Sequence, residues 1–292
     1  MAVAVLTFIA VFLRVLSNPL GNVFQKQLTA KGHYPLLVNF LTYLLLSLVC
    51  LVFGFGVSWH SLPSAFWLYA VADGVAGALG NFFLVRSLQK GDLSVLGPIN
   101  SYKSVVSIVF GVFLLHEIPS VWGVIGMTLI VYGSYFVLGT TGVGFSWALL
   151  KRKEIQYRIW AMVLTAIEAV FVKKMILLSS TTTAFISWCW FGALFSFMLL
   201  LLYRVDFKEE IGKLKLADLS QFGLLILCIG TMQLTTNYAF AHMPVGYALS
   251  LFQLSTVVSI LLGYRFFQET EIRKKLVGSV LMIAGSVIII LL

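Results

Sequence analysis

One four-residue string occurs twice in this chain. Val105-Val106-Ser107-Ile108 recurs as Val257-Val258-Ser259-Ile260. At the same offset Gly111 meets Gly263, Glu117 meets Glu269, Gly126 meets Gly278, and Gly133-Ser134 meets Gly285-Ser286. Identities at one fixed separation make the chain two copies of one unit. The background of the repeat narrows the fold further. Of the residues 60% are hydrophobic and 11% charged, against roughly 25% charged in soluble domains. The mean hydropathy is +0.99. These values describe a polytopic membrane protein whose length is spent on spans, with no sizeable soluble domain.

A span takes about 20 predominantly apolar residues. The sequence predicts ten: Val3–Phe24, Leu36–Phe55, Phe66–Leu88, Ser94–Leu115 and Val121–Leu138, then Arg158–Leu178, Ala184–Tyr203, Ser220–Ala241, Val245–Phe267 and Leu276–Leu292. The polar link Gly139–Tyr157, with Lys151-Arg152-Lys153, separates the halves. The expected organisation is residues 1–139, a linker at 140–157, and residues 158–292. Five is odd, so the second copy enters the membrane from the opposite side. The fold class expected is all-α integral membrane: ten transmembrane helices as two inverted five-helix repeats around a central cavity, a common transporter plan.

The net charge of +9 is no sign of nucleic-acid binding, because the basic residues sit in short loops. Loops after odd-numbered spans hold nearly all the lysine and arginine, while those after even-numbered spans hold only Lys173 and Lys174. By the positive-inside rule both termini lie outside the cytoplasm. Cys50, Cys189 and Cys228 lie in apolar runs without metal-ligand spacing and read as small buried hydrophobes. Tryptophans 59, 67, 122, 147, 160, 188 and 190 read as interfacial anchors. Met1–Leu13 lacks a basic leader and reads as a retained first span. The chain holds no His-x-x-x-His, paired cysteines, phosphate loop or Gly-x-Ser-x-Gly, so the expectation is no enzyme, no cofactor and no metal.

The two copies resemble the EamA units of the drug/metabolite transporter superfamily over essentially the whole chain. The first shows Asn22-Val-Phe-Gln-Lys26, then Asn81-Phe-Phe-Leu-Val-Arg86, then His116-Glu117 before the glycines at 123, 126 and 133. The second shows Ala169-Val-Phe-Val-Lys173, then Asn237-Tyr-Ala-Phe-Ala-His242, then Gln268-Glu269 before Gly278 and Gly285. The resemblance implies a ten-helix carrier of small metabolites, often an exporter. His116 and Gln268 stand where the family usually has glycine. Gly56–Ser64 lacks the basic residues many relatives place there, so the family's termini-in habit and the loop charges disagree. The expected setting is a bacterial inner membrane, as monomer or homodimer in the lipid bilayer, with a small-molecule substrate.

Ionisable residues in mid-bilayer cost at least a few kcal/mol and are functional by default. Lys103 is the clearest. Asn100, Lys103, Ser107 and Gly111 share a helix face, as do Gln253, Thr256, Ser259 and Gly263. These faces are expected to line the cavity, with Lys103 pairing a substrate carboxylate or phosphate. The alternative is that Lys103 pairs Asp73 or Glu168 and fixes packing. Tyr102, Asn18, Asn22, Asn81, Gln233 and Asn237 are further substrate-binding candidates, with interhelical hydrogen bonding as the competing reading. Arg14 joins Asn18 and Asn22 in a stripe. Asp73 and Glu168 are candidate proton carriers. Glu117 and Glu269, at span ends, are expected to cap the helix that follows, with a gating salt bridge as the alternative. An accessory subunit or an intramembrane enzyme is the competing reading of the whole chain.

Overall fold

The computed structural model describes residues 2–103, 120–141, 150–243 and 245–291. The substrate candidate Ser107 and the gating candidate Glu117 lie outside them. The helices are α1 (Ala2–Ala30), α2 (Pro35–Gly54), α3 (Ser64–Lys90), α4 (Leu93–Leu96), α5 (Val121–Leu138), α6 (Lys153–Leu178), α7 (Thr181–Leu202), α8 (Phe207–Gly212), α9 (Leu216–His242), α10 (Val245–Phe252), α11 (Ser255–Phe267) and α12 (Ile272–Leu291). No strand occurs among the described residues. Their ends follow local chemistry. Pro35 opens α2, where its missing amide costs nothing. The side chains of Ser120 and Ser180 accept the Gly123 and Thr183 amides at the starts of α5 and α7.

Among the described residues six helices are long and apolar enough to cross a membrane: α1, α2, α3, α5, α7 and α9. Three of the other expected spans differ from a plain apolar helix. The sixth, α6, starts at Lys153 rather than Arg158 and carries Lys153, Glu154, Arg158, Glu168, Lys173 and Lys174. The fourth does not begin as one continuous helix. It breaks at Gly97 into a 3-10 turn over Pro98–Ser101, because proline supplies no amide to the turn before it. The ninth breaks between α10 and α11, at Gln253-Leu254.

The packing repeats itself with the copies exchanged. α1 lies on α9 and α3 on α6, while α2 pairs with α7 and α5 with α12. At its closest points the α5–α12 seam is backbone on backbone, with Ile130, Val137 and Met282 packed around it. A Cβ added to Gly133 would lie 2.5 Å from the Gly278 carbonyl oxygen, and one on Gly285 would lie 2.5 Å from that of Gly126. Gly126 and Gly278 are repeat equivalents, as are Gly133 and Gly285. Each therefore meets the equivalent of the other, the reciprocal contact a two-fold axis generates. Positions rise along α5 as they fall along α12, so the helices run antiparallel. Ser101 and Gln253, also equivalents, touch across the same axis, with Ser101 Oγ 3.4 Å from Gln253 Oε1.

A side chain at this seam has nowhere to go, because its neighbour is carbonyl oxygen. Gly133→Val should destabilise the protein by about 1–3 kcal/mol, the usual range for overpacking. Gly223→Ala, where nothing lies within 4 Å, should leave it unchanged. Tryptophan-fluorescence melts of the detergent-purified variants measure the difference.

Candidate functional site

A cavity of about 120 Å³ lies between the two repeats. α1 brings Arg14, Asn18 and Asn22 to its wall, one helical turn apart. α3 contributes Asn81 and Leu84, and the broken fourth segment contributes Asn100 and Lys103. From the second repeat come Arg158, Thr165 and Glu168 of α6, Trp188 of α7, Gln233 and Thr236 of α9, and Phe252 of α10. α2 adds Thr42 and Tyr43. Candidates widely separated in sequence thus meet at one place.

The charges on the wall do not balance. Arg14, Lys103 and Arg158 face it with Glu168 as the single carboxylate among the described lining residues. Arg14 donates from Nε to Thr236 Oγ1 at 2.8 Å, lies 4.7 Å from the Phe252 ring centre, and keeps Nη1 without a partner. Arg158 is 5% exposed and donates from Nε to the Leu96 carbonyl at 2.7 Å. Lys103 makes no hydrogen bond or ion pair among the described residues, so the alternative pairing with Asp73 or Glu168 is not formed. It lies within electrostatic range of Arg158, Arg14 and Glu168. Cations held in a low-dielectric interior without counter-ions are costly, and an anion entering the cavity would offset that cost.

Glu168 accepts the Trp188 indole N–H at 2.7 Å. Trp188 is therefore a core residue at 4% exposure, not an interfacial anchor. Gly77 makes room for this pair, since a Cβ there would lie 2.8 Å from Glu168 Oε1. Asp73 sits behind the wall, fully buried, and neither of its carboxylate oxygens has a hydrogen-bond partner.

Four of the expected substrate residues lie off the wall, three of them with polar groups that join helices. Tyr102 donates to Ser134 Oγ at 2.6 Å. Gln253 donates to the Asn100 carbonyl at 3.2 Å. Asn237 donates to the Thr181 carbonyl and accepts from Gln233. Thr256 is 2% exposed within α11. Glu269 caps neither its own helix nor the next. It accepts the Leu93 and Ser94 amides, at the start of α4 in the other repeat. Arg158, the first residue of the expected sixth span, is a wall residue that was not among the expected candidates. Its signal was the run Arg158, Thr165, Glu168 at helical spacing.

The comparisons agree with this arrangement. The EamA-like transporter family model matches residues 5–139 and again 152–291. A curated relative, the triose phosphate/phosphate translocator, non-green plastid, chloroplastic, of Brassica oleracea var. botrytis, is 30% identical over 136 residues. The match covers 46% of this chain and 33% of that protein, so the chain spans about a third of the relative's length. A solved structure described as "Crystal structure of protein" superposes with a TM-score of 0.66 at 17% identity, covering 98% of this chain and 96% of the other. At that identity the likeness speaks for the fold. With a family match in each half and a helical core of membrane-spanning length, the chain belongs to the EamA-like transporter family and is a multi-pass integral membrane transporter.

Proposed function

We propose that the protein carries a compact anionic solute, such as a small phosphate ester, by alternating access. In this reading two inverted five-helix halves, residues 1–139 and 158–292, rock about the α5–α12 seam. The carrying observation is the wall of Arg14, Lys103 and Arg158 facing one Glu168. The cavity volume supports a small solute, since about 150 Å³ accommodates a molecule of benzene's size. The name of the plant relative, a triose phosphate/phosphate translocator, points to the same chemical class. Asn18, Asn22, Asn81, Asn100 and Gln233 supply neutral donors and acceptors for the rest of the solute. Glu168 also gives a second reading, a zwitterion whose ammonium faces that carboxylate. Family resemblance favours export across a bacterial inner membrane, and the loop charges put the basic face in the cytoplasm.

A ligand that binds the native state raises its melting temperature by mass action, with about 2.7 kcal/mol at a hundred times Kd. Phosphate esters should stabilise the purified protein, and Lys103→Met should weaken that binding ten- to hundredfold, the value of about 1.5–3 kcal/mol for a hydrogen bond to a charged group. Stabilisation by amino acids but not by phosphate esters would select the zwitterion. Equal binding by wild type and Lys103→Met would remove Lys103 from the site.

Asp73, buried behind the wall, and Glu168, half-buried on it, are our candidates for a coupling proton, with one hydrogen-bond donor between them among the described residues. In proteoliposomes with an acidic, dye-loaded lumen, protons leaving should drive accumulation of the anion and make the lumen more alkaline, as an exporter exchanging solute for protons requires. Glu168→Gln and Asp73→Asn should bind the anion yet lose the gradient-driven accumulation. Wild-type uptake indifferent to the gradient would make the protein a uniporter or exchanger.

A further inference from the structure

On the basic face of the molecule one carboxylate gathers segments of both repeats. Glu269, 8% exposed, lies in the turn between α11 and α12. Its Oε1 accepts the Leu93 amide at 2.7 Å and Lys26 Nζ at 3.3 Å. Its Oε2 accepts the Ser94 amide at 2.9 Å and the Ser94 hydroxyl. Lys275 donates to that same hydroxyl oxygen at 2.8 Å, and Lys26 also donates to the Gly91 carbonyl at 2.7 Å. Segments of both repeats converge on the one side chain.

Two features of the chain put it there. Gln268 and Glu271 flank the site with φ of 53° and 59°, a left-handed region that residues other than glycine rarely adopt. The residue facing the carboxylate is Gly263, where a Cβ would lie 2.6 Å from Oε2. Strain and a glycine are both used to seat this carboxylate against the other repeat.

The segment it holds leads straight to the cavity. Leu93 and Ser94 begin α4, the Leu96 carbonyl accepts from Arg158, and Asn100 and Lys103 stand on the wall. Arg158 thus faces two ways. Its Nε bonds the strut, and the rest of its guanidinium has no partner among the described residues.

We propose that Glu269 is the latch that closes the basic face of the carrier, and that Arg158 couples the latch to the load. An anion entering the cavity draws the Arg158 guanidinium towards itself and away from the Leu96 carbonyl. The strut Leu93–Lys103 then loses its inner tie, and Leu93 and Ser94 part from Glu269 more readily. The latch stands on the contacts alone, while the coupling rests on the anion reading of the cavity.

Hydrogen–deuterium exchange of the Leu93 and Ser94 amides, measured by mass spectrometry on the full-length detergent-purified protein, tests both. Without ligand these amides should exchange slowly, and Glu269→Gln should speed them at least tenfold, because an amide side chain cannot accept both. Inorganic phosphate should speed them severalfold in wild type and have no such effect in Arg158→Lys. Should Glu269→Gln fail to fold, Ser94→Ala combined with Lys26→Gln removes two of the four bonds and is read in the same way. Folded variants exchanging like wild type would overturn the latch. Phosphate that raises the melting temperature but leaves exchange unchanged would overturn the coupling. Phosphate that raises neither would overturn the anion reading and the coupling with it, while the Glu269 variants still decide the latch.

Discussion

A bilayer offers no hydrogen bonds, so backbone groups freed by a broken helix must be met by protein. The start of α4 and the break at Gly97-Pro98 free several, and side chains meet five of them. Glu269 takes the Leu93 and Ser94 amides. Arg158 takes the Leu96 carbonyl, and Gln253 takes that of Asn100. The Ser286 hydroxyl lies 3.4 Å from the carbonyl of Ser101. All four side chains come from the second repeat. The irregular segment of the first copy is therefore satisfied only when the second is packed against it, and the break becomes the place where the halves read each other's position.

The same chain treats its cations in two ways. On the basic face they are paired: Lys31 meets Asp218 at 2.7 Å, with His33 at 3.0 Å from the other oxygen, and Lys26 meets Glu269. In the cavity Arg14, Lys103 and Arg158 share one carboxylate. Pairing removes the desolvation cost of a charge and also its ability to recruit anything else. Leaving cavity cations underpaired stores that cost where an incoming anion relieves it. The free energy of recognition and the instability of the empty cavity are then one quantity.

Much of this was legible in the sequence, because it follows from local pattern. The apolar runs, the repeat and the stripe Arg14, Asn18, Asn22 each depend on residues near one another. Periodicity says which residues share a face, however, and not what the face meets. Gln253 and Thr256 share a polar face, as do Gln233 and Asn237. Helix packing takes the polar groups of Gln253 and Asn237, while Gln233 keeps its place on the wall. Arg158 stood at the very start of the expected sixth span, where a basic residue reads as a membrane-edge charge, yet α6 begins at Lys153 and carries it inward. The partner of Glu269 lies at the start of α4, and only the assembled halves bring that distant segment beside it.

The glycine seam of α5 and α12 has a mechanical consequence. Side chains that interdigitate must change rotamer, or climb over one another, when two helices turn. Here carbonyl oxygen meets glycine on both sides of the axis, so the closest contacts have no rotamers to change. Such a joint behaves as a plain bearing, smooth in rotation and firm against separation. Resistance to motion then falls on the rim, where side chains clasp across the gap, and the timing of the cycle is written in a few bonds far from the axle.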